Sequence, residues 1–278
     1  MDLLIPKRLT TLGHPQRLAV FRLLMRRYPD RVPATELAMA LDLKPNTLSN
    51  YVNALMQAGL VTQEREGTSL RYAIDMDIAR QTIDYLLLDC CRGRPEICAP
   101  IYDTPRGPAA HRPYNVLFLC TGNSARSIFA EAILRQIAGD RFQVYSAGTH
   151  PQASINPIAH AVLQRNGYDT ATLTSKHLST FKGPDAPVFD FVFTVCDAAA
   201  NEDCPAWPSQ PITAHWGLPD PVRVTGTQAQ QATAFQQVFD TLHHRLSRFA
   251  ALPFASLDPL ALQRAIDDIA RHETEETV

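Results

Sequence analysis

No apolar run in this sequence approaches the ~18 residues needed to cross a bilayer, and the N-terminus lacks the apolar core of a signal peptide. These absences argue against a membrane-spanning or exported chain and leave the cytoplasm as the default location. No internal repeat is found, which argues against a stacked-repeat architecture. An excess of one charge is missing too, with 26 Lys+Arg against 28 Asp+Glu, a net charge of −2. Cysteines number only six, and in a cytoplasmic chain they are expected as thiols for metal binding or redox chemistry, not as structural disulfides.

What is present divides in two. At 278 residues the chain has length for two domains, each with its own core. Residues 1–112 carry 15 Lys+Arg against 12 Asp+Glu, a balance of +3, and the remainder carries 11 against 16, a balance of −5. A mildly basic first half beside an acidic second half fits a DNA-contacting module joined to something else. Cys90, Cys91 and Cys98 lie in the first half, whereas Cys120, Cys196 and Cys204 lie in the second. Between them, Ala99–Pro113 holds four prolines and no helical or strand period, so it reads as an extended linker. The domains expected are 1–98 and 114–278, joined by 99–113.

In the first half, Gln16–Arg27 reads as a helix with Leu18, Phe21, Leu24 and Met25 on its core stripe. After a loop over Tyr28–Pro33, Ala34–Leu41 reads as a short helix. A turn at Asp42–Pro45 leads to a helix capped by Asn46 or Thr47, with Leu48, Val52, Leu55 and Met56 buried and Gly59 as its stop. Two helices joined by a tight turn match the helix-turn-helix pattern. Strand-like Leu60–Arg65 and Leu70–Ile74 then flank a hairpin tip at Glu66–Thr68, which makes a winged helix. Asp77–Cys91 closes the half as a helix with Ile78, Ile83, Leu86 and Leu87 on its apolar face. The second helix of the motif would turn Asn46, Thr47, Ser49, Asn50 and Asn53 toward base edges, with Lys44, Arg65 and Arg71 on phosphates. The thiols of Cys90, Cys91 and Cys98 can converge on one soft ion: three sulfurs in a pyramid suit As(III) or Sb(III), and His111 as a fourth ligand would suit zinc.

The second half turns on Val116–Ser127. An apolar strand ends in Cys120, and a loop of Thr121, Gly122, Asn123, Ser124 and Ala125 leads to Arg126 and to Ser127, which opens an amphipathic helix. Strand, tight loop and helix N-terminus make an anion site in which N–H groups and the helix dipole converge. Arg126 adds a bidentate clamp for a tetrahedral oxyanion. Cys120 at the bottom of this cradle is expected to have a lowered pKa and to stand as thiolate. Gly122 is expected to allow the loop its turn, and Asn123 to tie the loop to itself. Strands at Phe142–Ser146, Phe189–Val195 and Pro211–His215 alternate with helices at Pro157–Asn166, Gln228–Leu252 and Asp258–His272. That alternation predicts a doubly wound parallel α/β layer with its ligand at the carboxyl ends of the strands, where Cys120, Cys196 and the region after His215 fall.

Two resemblances follow from these motifs. Residues 8–98 resemble the ArsR/SmtB family of metalloid-responsive repressors through Leu12-Gly13-His14-Pro15-Gln16-Arg17-Leu18, Leu48-Ser49-Asn50-Tyr51-Val52-Asn53-Ala54-Leu55 and Ala58-Gly59-Leu60-Val61. That resemblance implies a homodimer, formed through the first and last helices, that leaves its operator DNA when metal or metalloid binds. The Cys120-Thr121-Gly122-Asn123-Ser124-Ala125-Arg126-Ser127 stretch resembles the phosphate loop of the low-molecular-weight tyrosine phosphatase fold, most of all its arsenate reductase branch. The resemblance implies that Asp220, in its Asp-Pro step, protonates the leaving oxygen. A thiolate that attacks arsenate leaves a cysteine–arsenic adduct, and a second thiol must then attack Cys120 to expel arsenite. Cys196 is the candidate, and Cys204 could accept the disulfide for reduction. Ala125 and Val222 stand where tyrosine phosphatases place a second loop cysteine and an aromatic wall.

The expectation is a fusion of an arsenic-responsive repressor with an arsenate reductase. It needs no tightly bound cofactor, only an external thiol reductant (thioredoxin, glutaredoxin or a small thiol), with As(III) as effector. Activity on an aryl phosphate, undiminished without Cys196, would point to a phosphatase fused to the regulator instead. Anion-dependent DNA release without turnover would point to an oxyanion sensor, and release by zinc to a zinc-responsive repressor.

Overall fold

The computed structural model describes residues 4–92, 112–183, 186–202, 207 and 209–275. The chain divides into two compact units, Met1–Pro105 and Arg106–Val278. Among the described residues no helix is long and apolar enough to cross a membrane.

The first unit opens with α1 (Leu4–Leu12) and α2 (Pro15–Arg27). Helix α1 lies before the first element expected from the sequence, its nine residues being too few to show a clear period. His14 caps α2 by accepting the Gln16 N–H, and Pro15 occupies the first helical position. The two-residue strand β1 (Val32–Pro33) lies where a loop was expected, and α3 (Ala34–Ala40) follows. A left-handed Asp42 makes the turn into α4 (Pro45–Gln57). The cap of α4 is neither Asn46 nor Thr47. Lys44 stands at that position without a side-chain cap bond, since its ammonium offers no acceptor, and Pro45 at the first helical position sets a helical φ instead. Gly59, at φ +76°, ends α4 as expected.

Strands β2 (Val61–Glu66) and β3 (Ser69–Ile74) pair antiparallel from Val61↔Ile74 to Glu66↔Ser69, and β1 pairs on the far side of β3, giving a sheet ordered β1-β3-β2. Helix α5 (Met76–Asp84) runs on into a π turn over Tyr85–Cys90. The core gathers Val20, Leu23, Leu24, Leu37, Leu48, Val52, Leu55 and Tyr72. Four expected positions lie outside it: Leu18 and Ile83 are exposed and Leu86 and Leu87 half-buried, whereas Val20 and Ala79 are buried.

The second unit is built on four parallel strands, β4 (Tyr114–Cys120), β5 (Phe142–Gly148), β6 (Phe191–Thr194) and β7 (Ile212–His215), in the order β5-β4-β6-β7. Helices α6 (Arg126–Ala138), α7 (Pro157–Arg165), α8 (Asp197–Asn201), α9 (Gln228–Ala250) and α10 (Pro259–Glu275) are interleaved with the strands or follow them. Alternation along β4 serves two cores. Val116, Phe118 and Cys120 face one side with Phe193, Trp216 and Phe249, while Leu117 and Leu119 face the other with Leu178, Phe181 and Phe189. Phe129 of α6 meets Phe235 and Phe239 of α9 edge to face. Each such fully buried side chain is worth about 1.5–3 kcal/mol.

The strand order fixes where a ligand goes. From β4 the chain crosses to β5 on one side, and from β6 it crosses to β7 on the other. The switch point therefore lies between the carboxyl ends of β4 and β6. Cys120 ends β4, and Cys196 follows β6 by two residues.

Candidate active site

The loop after Cys120 is turned by its neighbour. The carbonyls of Cys120, Thr121, Gly122 and Ser124 accept the N–H groups of Thr149, His150, Gln152 and Asn156, at 3.1, 2.9, 2.8 and 2.9 Å. In a trans peptide the N–H points opposite to the carbonyl, so the amides of Thr121, Gly122, Asn123 and Ala125 are directed away from that flanking segment. Two of them meet sulfur: Asn123 N–H reaches Cys120 Sγ at 3.1 Å, and Thr121 N–H reaches Cys196 Sγ at 3.3 Å. The left-handed residue of the loop is Asn123, at φ 40°, and not Gly122 as the sequence suggests. A Cβ on Gly122 would meet only ordinary contacts, whereas one on Gly148 would lie 2.5 Å from the Thr121 carbonyl oxygen. The glycine this loop needs is on β5, where the flanking strand comes close to it.

Asn123 is wholly buried and spends every polar valence. Its amide donates to Ser127 Oγ and Ser146 Oγ, both at 2.9 Å, and its Oδ1 accepts the Lys176 N–H at 2.7 Å. It thus ties the loop to β5 and beyond, not only to itself. Because Ser127 Oγ accepts from Asn123, its own proton is available to Cys120 Sγ, 2.8 Å away. Ser146 donates onward to Glu131, which also pairs with Arg135 and with Lys176 Nζ at 3.5 Å. Glu131 is 2% exposed and is the only acid in α6. Sequence reading passed over Glu131, Ser146 and Lys176. A lone acid in the apolar run Ile128–Leu134 was the available signal.

Burial pushes the Cys120 thiol up from its ordinary value, and the neighbouring Cys196 pushes the same way. Ser127, the Asn123 N–H and Arg126 pull it down without reversing the balance. The expectation of a lowered pKa is therefore corrected: Cys120 is 3% exposed, and desolvation of a thiolate outweighs three favourable contacts.

Arg126 and Asp220, 94 positions apart, come together. Arg126 Nη2 lies 3.1 Å from Asp220 Oδ2, and Nη1 donates to the Leu218 carbonyl at 2.9 Å. Asp220 also caps the short turn Pro221–Arg223 through the Val222 N–H and lies 3.7 Å from Arg223. The guanidinium and the carboxylate thus stand at one mouth of the loop.

Cys196, buried, stands at the N-cap position of α8 without a side-chain cap bond, and the Thr121 hydroxyl lies 3.5 Å from its sulfur. Asp197 behind it meets His215 Nε2 at 3.2 Å, and His215 Nδ1 meets Thr194 Oγ1 at 2.8 Å, which holds the turn between β6 and α8. Cys204 lies outside the described residues. The structure gathers the seven loop positions assigned from the sequence, Thr121–Ser127, with three of their four partners, Cys120, Asp220 and Cys196.

In the first unit, Lys44, Asn46, Ser49, Asn50 and Asn53 are exposed on α4 or at its start, and Thr47 is half-buried. Arg65 is exposed on β2, whereas Arg71 is half-buried, pairs with Glu66 across the hairpin and donates to the Arg31 carbonyl at 3.4 Å. Cys90 is exposed and Cys91 half-buried at the end of the π turn. Cys98 and His111 lie outside the described residues.

Comparison with known proteins now decides the family. Residues 115–259, just over half of the chain, match the family model of low molecular weight phosphotyrosine protein phosphatase. The chain belongs to this family. As a member of it, this chain carries an added module, since residues 12–64 match a helix-turn-helix domain. Its phosphatase-family domain is similar to the arsenate reductase of Bacillus subtilis (strain 168), 38% identical over 135 residues that cover 49% of this chain and 94% of that protein. The arsenate reductase of Shouchella clausii (strain KSM-K16) is 36% identical over 137 residues, covering 49% and 94%. A solved arsenate reductase in the phosphate binding state is 25% identical, covers 50% of this chain and 97% of its own, and superposes with a TM-score of 0.40.

Proposed function

We propose that this chain is an arsenate reductase fused to an As(III)-responsive repressor of the ArsR type. The observation that carries the reading is the position of Cys196: its sulfur accepts an N–H from the loop of Cys120, at the switch point of the sheet. A phosphatase has no use for a second thiol there, but a reductase needs one. In this reading the Cys120 thiolate attacks arsenate held by the loop amides of Thr121–Ser127 and by Arg126. Asp220 protonates the departing oxygen. Cys196 then attacks Cys120 Sγ, and the sulfur–arsenic bond pair passes to arsenic, which leaves as As(III). Cys204 attacks Cys196, freeing Cys120, and an external thiol reduces the Cys196–Cys204 disulfide. The likeness to the named arsenate reductases, over 94% of their length, supports the same assignment.

The repressor half rests on the helix-turn-helix match and on the exposed amides and hydroxyls of α4. Asn46, Thr47, Ser49, Asn50 and Asn53 read base edges, and Lys44, Arg65 and Arg71 meet phosphates, Arg71 exchanging Glu66 for one. Cys90, Cys91 and Cys98 hold As(III). The working form is a cytoplasmic homodimer on operator DNA. The test is arsenite production from arsenate by the purified chain, with thioredoxin and glutaredoxin systems offered separately. Turnover with either supports the reductase and names its electron donor. No turnover with both, beside hydrolysis of an aryl phosphate that survives Cys196→Ser, replaces it with a phosphatase.

A further inference from the structure

Cys196 must do two things that compete. It has to stand close enough to attack Cys120 Sγ, and it has to sit on an element able to leave afterwards. The element is α8, only five residues long, which contributes no side chain larger than alanine to the core. So short a helix has little hold of its own. Besides the burial of Ala199 and Ala200, bonds at its ends hold its place. At the start, Cys196 Sγ accepts the Thr121 N–H, and Asp197 meets His215. At the far end, Glu202, the residue that closes α8, accepts a hydrogen bond from Thr149 Oγ1 at 2.9 Å. His150 Nδ1 lies 3.7 Å from the same carboxylate oxygen, although its side chain is 77% exposed and the pair is well screened.

Thr149 and His150 are not ordinary surface neighbours. Their N–H groups hold the carbonyls of Cys120 and Thr121, at 3.1 and 2.9 Å. The bonds therefore close a ring: from Cys120 to Thr149, from Thr149 to Glu202, along α8 to Cys196, and from Cys196 back to Thr121. The nucleophile and the second thiol are referenced to one another through the Thr149 hydroxyl and the Glu202 carboxylate. Resting on the reductase reading, we propose that Glu202 is a positioning residue for the resolving step, acting through Thr149 to hold Cys196 on line with Cys120. It touches neither substrate nor the reacting sulfurs. Its bond is exposed enough to break once the Cys120–Cys196 disulfide has formed, so α8 can then turn Cys196 outward for the next exchange.

The experiment separates anion binding from resolution. The full-length reduced chain is mixed with one equivalent of arsenate and no external reductant, and arsenite and free thiols are counted with time. Inorganic phosphate protection of Cys120 against iodoacetamide measures the anion site in parallel. We expect Glu202→Ala and Thr149→Val each to slow arsenite release about tenfold, the scale of one lost hydrogen bond in a positioned attack. Phosphate protection should stay as in the parent. Glu202→Gln and Thr149→Ser, which keep the acceptor and the hydroxyl, should recover most of the rate. The double variant should be no slower than either single one. Unchanged release from Glu202→Ala beside an active parent overturns the inference, as does an equal loss of phosphate protection or additive losses in the double variant. No arsenite from the parent overturns the reductase reading itself, and this inference with it.

Discussion

At the residue scale the second unit turns on one sulfur and the competition around it. Burial favours the neutral thiol of Cys120, and three groups favour the thiolate, of which the Ser127 hydroxyl is the strongest. In the parent, Asn123 supplies its two amide protons to Ser127 and Ser146, which leaves the Ser127 hydroxyl as the side-chain donor to the sulfur. With the thiol's pKa raised, alkylation of Cys120 in the anion-free protein should climb steadily with pH through the alkaline range. We expect Ser127→Ala to raise that pKa further and to slow iodoacetamide alkylation at pH 8 about tenfold, the scale of a hydrogen bond to a charged group. An alkylation profile identical to that of the parent would show that the hydroxyl does not stabilise the thiolate.

At the scale of elements, two packing contacts make sharper demands than the sequence advertises. Strand β5 ends in Gly148 because the Thr121 carbonyl leaves no room for a Cβ, so Gly148→Ala must displace the loop or the strand. We expect loss of phosphate protection of Cys120, with a stability cost of about 1–3 kcal/mol, typical of an overpacked site. Retained phosphate binding would mean that the loop tolerates the shift. Helix α10 covers β7 with a helix face that includes Asp267, 8% exposed and hydrogen-bonded by Gln263 at 3.0 Å. Burial raises the pKa of this carboxyl from 3.8 to about 6. A raised acid contributes stability below its unfolded value and loses it as pH rises through the folded one. The advantage of Asp267→Asn over the parent should therefore grow from pH 4 to pH 6 and then level off, with about 3 kcal/mol as an upper bound. Both tryptophans, Trp207 and Trp216, lie in this unit, so fluorescence during denaturant unfolding reads it separately from the first; a flat difference across that pH range would sink the assignment. The elements themselves were largely legible. Strand β6 lies in a short Val- and Phe-rich run, and the strand–loop–helix around Cys120 is marked by residue type at every step. What stayed hidden depends on partners distant in sequence. Nothing local in Leu18 or Ile83 says that they face outward, and nothing in Gly148 names Thr121. Whether burial or the cradle wins at Cys120 cannot be read without knowing how much water reaches the sulfur. The cap of α4 was readable but misread, since Pro45 carried more weight than the better capping side chains after it.

At the scale of the whole molecule, one chain joins a phosphatase-family domain to a helix-turn-helix domain, and the proposed product of the first is the proposed ligand of the second. In the proposed reading, joining them on one chain fixes their ratio at one to one and raises the concentration of product that the sensor thiols meet. A tether of this kind raises the local concentration of product without requiring the two units to touch. The consequence is a difference between two inducers. Added arsenite should release operator DNA from the parent and from Cys120→Ser alike, because the sensor thiols are intact in both. Arsenate with the thiol reductant should release DNA from the parent only, because Cys120→Ser has no nucleophile to make the effector. Fluorescence anisotropy of a labelled operator duplex, at one fixed salt concentration so that phosphate contacts remain comparable, measures both. DNA release by arsenate from Cys120→Ser would mean that the oxyanion acts by binding alone, and the second unit would then be a sensor. No release by arsenite from either form would separate the two halves, leaving a reductase whose attached helix-turn-helix answers to another signal.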